Sequence, residues 1–365
     1  NIGRCLMQAS KFGEALPVLE RAEAGLAATL GADHELALGM GFSLAAHTRL
    51  TGSATDALAA FEALLPRHVE ALGDQHEETM SVRNSMGVIL GDLGETDRAS
   101  ELLRTVIDFQ RQELGEDHPN LLRTMNNLAG IYRRENRNEE AIELMQDVLE
   151  TKYRVLGHDH PSTIVSLNNL GSLYERVDRH AEAAEVLAAA LGTSLTHFGP
   201  DDRRSLILAS NLAGNADARG EHAEALRLVE DAIPRSDATL GPMHPLGMTL
   251  RVTQIEASRA LGEHDASIKL ARAFLRHLEN GADAKPADVV SALTELGRSL
   301  VAAERWTEAR EHLVAAYEHG TQVHGDATDP VREVAIELVE VCTQMGDTAE
   351  AARWGAIANT AVDPE

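Results

Sequence analysis

The stretch Pro161-Ser-Thr-Ile-Val-Ser-Leu167-Asn168-Asn169-Leu170-Gly171-Ser-Leu-Tyr174-Glu-Arg-Val177-Asp178 decides the fold of this chain. Its apolar and small residues fall at Ile164, Leu167, Leu170, Gly171 and Tyr174, in steps that place them on one face of a helix. Pro161 suits a first helical turn, where its missing N–H would have had no partner anyway. Asp178 then stands at a stop, and Ala183, Leu187 and Ala190 resume helical spacing up to the Phe198-Gly199 joint. The stretch therefore reads as two helices folded back on each other.

Working outward, the same pattern recurs. Leu30-Gly31, Leu72-Gly73, Leu114-Gly115, Leu156-Gly157, Phe198-Gly199 and Leu240-Gly241 lie 42 residues apart. The register slips at Gly281 and recovers at Gly325. His34, His76, His118, His160 and His244 follow these joints, and Ala15, Ala57, Ala99, Ala141, Ala183, Ala225, Ala309 and Ala351 open the second helices. Gly52, Gly94, Asn136, Asp178, Gly220, Gly262 and Gly346 form the stop between helices, a place that favours residues tolerant of the left-handed conformation. The reading is all-α: a single solenoid, 1–365, of about eight antiparallel helix pairs. It opens with a partial repeat over 1–30, continues with repeats 31–72, 73–114, 115–156, 157–198, 199–240, 241–280 and 281–324, and closes with 325–365. Asn1-Ile2-Gly3 aligns with Asn169-Leu170-Gly171, so the chain is expected to enter inside a helix and to fray over its first ten or so residues. Pro66 and Pro234 share one column of the second helix with Gly192, and a kink or break is expected there. The sixth pair departs from pattern at Gln254 and Ser267.

Leu170-Gly171-x-x-Tyr174 with Ala183, Leu187 and Ala190 resembles the tetratricopeptide repeat. The 42-residue period, the Leu-Gly-x-Asp-His-Pro joints and Leu167-Asn168-Asn169-Leu170 resemble its kinesin-light-chain type. The resemblance implies an open right-handed superhelix whose first helices line a concave groove, within a larger bacterial signalling protein carrying a serine/threonine kinase or a nucleotide-binding switch.

Composition narrows the function. The 365 residues carry 33 Lys plus Arg against 58 Asp plus Glu, a net charge of −25, which would repel a phosphate backbone. Aromatics make up only 3%, too few for a base-stacking platform. No long apolar run suggests a membrane span, and Cys5 and Cys342 provide neither a disulfide framework nor a zinc site, as expected of a cytoplasmic protein. His158-Asp159-His160 resembles a ligand cluster, but the other joint histidines lie whole repeats away, so caps rather than a metal are expected. No Gly-x-Ser-x-Gly, phosphate-loop or His-Glu-x-x-His motif is present, and neither catalysis nor a cofactor is expected.

What remains is binding. Asn84, Asn126 and Asn168 occupy one first-helix column, and the family resemblance implies that such asparagines bond the backbone of an extended peptide. An amide both donates and accepts, so it can do this without reading side chains. Asn127, Asn169 and Asn211, one column along, are expected as buried bonds between helices. Residues 118–180 are nearly neutral, with 8 basic and 9 acidic residues, whereas 1–117 carry 9 and 19 and 181–365 carry 16 and 30. Arg123 and Arg133 share a face with Asn126 in that neutral stretch. They read either as carboxylate forks or as a solvated pair. The expected function is a non-catalytic scaffold for a protein or peptide partner, one with acidic residues if the arginines act as forks. Neither nucleic acid nor membrane is expected as a partner. The alternative is a ligand-gated regulatory domain of the larger signalling protein.

Overall fold

The computed structural model describes residues 12–281, 284–324 and 328–359, which form seventeen α-helices and no strand. After α1 (Phe12–Leu30), the first helices of successive pairs are α2 (Glu35–Thr51), α4 (Glu77–Asp92), α6 (Pro119–Arg134), α8 (Pro161–Glu175), α10 (Arg203–Ala218), α12 (Pro245–Ala260), α14 (Pro286–Ala302) and α16 (Asp329–Gln344). Their second helices are α3 (Ala54–Leu72), α5 (Thr96–Leu114), α7 (Asn138–Leu156), α9 (His180–Phe198), α11 (His222–Leu240), α13 (His264–Glu279), α15 (Trp306–His324) and α17 (Thr348–Ala358). The helices fall into two compact units, Asn1–Val177 with α1 to α8 and Asp178–Glu365 with α9 to α17. The expectations for Asn1 to Gly3, for fraying of the first residues, for Cys5 and for Gly325 lie outside the described residues.

Local chemistry sets the helix boundaries. The side chains of His34, His76, His118, His160 and His244 are N-caps, each accepting a bond from the amide two residues on. Asp202 does the same at the equivalent position of α10. Each of these caps satisfies one of the orphan N–H groups at a helix start. No group of three or more possible metal ligands occurs among the described residues. The stops are left-handed at Gly94, Asn136, Asp178, Gly220, Gly262 and Gly346, but Gly52 is extended. Glu304, which no residue-type rule selects, takes the left-handed position in its repeat with φ 56°.

Packing follows the repeat. The alanines from Ala15 to Ala225, and Ala309, are 0% exposed, so the paired helices meet without a side chain between them. Ser267 replaces this alanine in α13 and is equally buried, its hydroxyl 2.6 Å from that of Ser299 on α14. Gly87 and Gly297 share the column of Gly171; a Cβ there would sit 2.8 Å and 2.5 Å from Leu103 and Leu313. Tyr132 and Tyr174 are buried, and each hydroxyl accepts a bond at 2.9 Å, from Arg104 and Gln146. Cys342 is buried and its thiol pushed up by burial, the opposite of a reactive cysteine.

The break expected at the prolines does not occur. α3 runs unbroken through Pro66, and α11 through Pro234. Both prolines are exposed, and so are Glu62 and Glu230, whose carbonyls they leave without a helical donor. Leu64 and Ala232, two residues before the prolines, remain in the core.

Candidate functional site

In the first unit, successive first helices touch: α2 meets α4, and α4 meets α6. The residues Glu78, Ser81, Asn84, Ser85 and Val88 of α4 follow steps of three and four, as do Asn120, Arg123 and Asn127 of α6. These faces, with α2 and the tails of α3 and α5, enclose a cavity of about 1120 Å³. Its apolar wall includes Phe42, Phe61, Phe109 and Met80, the first two in an edge-on contact at 5.3 Å. Arg49 and Arg123 stand exposed at this cavity, neither in an ion pair among the described residues.

The cavity also gathers polar atoms that lack partners. His68 Nε2, Glu78 Oε2, Asn84 Oδ1 and Gln110 Oε1 are all buried without a hydrogen bond, four of nine such atoms among the described residues. Each unpaired buried group costs roughly 1–3 kcal/mol. That concentration singles out the cavity among the described residues.

The second unit treats the equivalent face differently. Glu295 and Glu337 occupy the column of Ser85, Asn127 and Asn169, at multiples of 42 residues. Glu295 is 2% exposed and lies 2.7 Å from Arg259 and 2.8 Å from Arg298. Arg298 also reaches Glu337 at 2.6 Å. Burial, reinforced by the Glu295 charge, pushes Glu256 up to about 7, and burial raises Glu337 as well. A carboxylate held neutral near pH 7 could in other surroundings serve as an acid. Here its neighbours are arginines and carboxylates on α12 and α14 that already pair with one another.

Two tetratricopeptide-repeat family models match the chain, one over residues 39–112 and 93–154, the other over 163–204 and 206–246. The chain belongs to the tetratricopeptide-repeat family. Among solved structures, a putative kinesin light chain of Podosopora anserina with nearly identical TPR-like repeats is 24% identical. The match covers 55% of this chain and 96% of that one, at a TM-score of 0.51. BtubC (BKLC) from P. vanneervenii is 22% identical over 62% of this chain and 94% of its own, at a TM-score of 0.52. The apo form of RapI is 10% identical, covering 93% of this chain and 96% of its own, at 0.60. These likenesses concern the fold. No curated protein matches the sequence.

The tetratricopeptide scaffold is one typical of protein–protein interaction. No helix among the described residues is long and apolar enough to cross a membrane. Of the five binding residues expected from sequence, all lie on first helices. Asn84 and Arg123 line the cavity together; Asn126, Asn168 and Arg133 do not. Asn126 is half-buried and its amide donates to the Leu122 carbonyl of its own helix at 2.6 Å. Asn168 is half-buried and already engaged, and Arg133 is exposed without an ion pair among the described residues. The expectation for the next column is corrected: Asn127 lines the cavity, Asn169 is exposed and Asn211 half-buried. Neighbouring residues of a helix differ by about 100° in direction, so Asn126 and Asn127 cannot present their amides to the same space. Sequence reasoning passed over His68 and Gln110 altogether. The available signal was their shared column, where polar residues recur at Lys152, Ser194 and Ser236 among apolar neighbours.

Proposed function

We propose that the face formed by α2, α4 and α6 binds an extended segment of a partner protein. Asn84 and Asn127 would hold its backbone, and Arg123 would take acidic side chains. The observation that supports this is the cavity itself, which presents amides on two successive first helices beside an arginine with no partner among the described residues. Amides bond peptide N–H and C=O groups alike, and an unpaired guanidinium offers a fork for a carboxylate. Arg133, on the same helix, would extend the contact to a second acidic residue, while Asn126 and Asn168 would contribute through the packing of their helices. On this reading the protein is a recognition module and performs no chemistry of its own.

Binding to a peptide array tests it. Asn127→Ala should weaken every bound peptide several-fold, because one neutral hydrogen bond contributes about 0.5–1.5 kcal/mol. Arg123→Ala should weaken acidic peptides selectively and flatten their salt dependence. Unchanged affinities in both variants would place the binding surface elsewhere.

A further inference from the structure

His68, Gln110 and Lys152 occupy one column of the second helices α3, α5 and α7. All three are buried, at 0%, 9% and 6% exposure. In α7 the column is satisfied: the Lys152 ammonium donates to the Ser166 hydroxyl at 2.7 Å and to the Ser162 carbonyl at 3.0 Å. Ser162 is the repeat equivalent of Glu78 and Asn120, each ten residues beyond its column member. This slot, between a second helix and the following first helix, is thus filled in one repeat by the chain's own cation.

The two preceding repeats lack that cation. His68 donates from Nδ1 to the Leu64 carbonyl at 3.0 Å, and with that tautomer Nε2 is an acceptor. Glu78 Oε2, Asn84 Oδ1 and Gln110 Oε1 are acceptors too, and none of the four has a donor. The apolar wall at Phe42 and Phe109 suits the alkyl stem and charged head of a long basic side chain. All four acceptors belong to residues lining this one cavity, one of them a carboxylate, and no buried donor is left over among the cavity residues.

We propose that this cavity receives a single alkyl-guanidinium or alkyl-ammonium group, supplied as a basic anchor side chain by the bound segment. The proposal deepens the peptide-binding reading and rests on it only for the source of the cation. Arg123 would hold an acidic neighbour of the anchor at the mouth while Glu78, Asn84 and Gln110 hold the cation within.

The test uses the full chain with n-butylguanidinium and its neutral isostere n-butylurea. Binding is followed by calorimetry and by the methyl resonance of Met80, which lines the cavity. Butylguanidinium should bind at least tenfold tighter than butylurea. Glu78→Gln should reduce that preference to threefold or less. Gln110→Lys, which copies the solution found at Lys152, should fill the slot and weaken butylguanidinium at least tenfold. Equal binding of the two probes, or full preference retained in both Glu78→Gln and Gln110→Lys, would overturn the pocket. Should Glu78→Gln not fold, Gln110→Lys decides alone. Peptides that bind with no preference for arginine over citrulline would support the groove and overturn this anchor. Guanidinium capture without any peptide binding would keep the cation site and remove the groove.

Discussion

The two units repeat one backbone pattern but end one column of it in different chemistry. In the first, the column through Ser85, Asn127 and Asn169 carries neutral groups, the first two of which line the cavity. In the second, the same column is still neutral at Asn211 and Thr253 and then carries Glu295 and Glu337, closed off by Arg259 and Arg298. A neutral amide can be left half-exposed at little cost, and it keeps its bonding capacity for a partner. The buried carboxylates of Glu295 and Glu337 are instead met by arginines of the second unit itself. A repeat backbone therefore does not make every groove a binding groove; the residue in one column decides whether the face is available or self-satisfied.

The largest expected effect breaks the self-satisfied side. Arg298→Ala strips Glu337 of its partner and Glu295 of one of two, and should destabilise the protein by about 3–5 kcal/mol in denaturant unfolding. A loss below about 1 kcal/mol would mean the network behaves like an exposed one, and the contrast between the units would collapse.

Glu256 sharpens the contrast through pH. Its carboxyl titrates at about 7 in the fold against 4.5 without its surroundings. Below pH 4.5 it is protonated in both states and the fold bears no penalty. As pH rises through 7 it must ionise in place, so stability falls across that window. Glu256→Gln should then raise stability at pH 8 by on the order of 2 kcal/mol, and hardly at all at pH 4.5. Thermal melts at the two pH values read the difference; an equal gain at both would exclude the ionisation account.

Next come the helix caps. His118→Ala removes the bond to the Asn120 amide and should cost about 1 kcal/mol. Lys285, which begins α14 in the second unit, makes no side-chain cap bond, and Lys285→Ala should lie within about 0.5 kcal/mol of the parent. Chemical denaturation of both variants tests whether the capped starts of the first unit carry stability that this start does not.

The smallest effect is a deliberate absence. Arg123→Ala should change stability by less than about 0.5 kcal/mol, because the side chain is exposed and has no ion pair among the described residues. A larger loss would make it a structural residue and undercut its assignment to a partner.

The periodic features were legible because each is decided locally. The joint glycines, the histidine caps and the buried alanine column depend on a few neighbouring residues, and the residue type reports the conformation required. Even here Gly52 and Glu304 break the rule: an extended glycine and a left-handed glutamate occupy the column where the opposite is expected. The prolines misled for a related reason. Propensity counts the missing hydrogen bond, whereas the prolines sit on the exposed side and core residues such as Leu64 and Ala232 pack beside them in unbroken α3 and α11.

The binding face needed more. Sequence alone determined that first helices carry a double row of asparagines and that a neutral stretch lies between acidic ones. Only the tertiary structure decided which row looks outward. Asn126 and Asn127 are adjacent in the chain, yet one turns its amide back onto Leu122 and the other lines the cavity. Nor could sequence show that His68 and Gln110, on second helices, reach the same space as Glu78 and Asn84. Their meeting depends on how far one helix pair rotates on the next, which is set by side chains many residues apart filling a shared core.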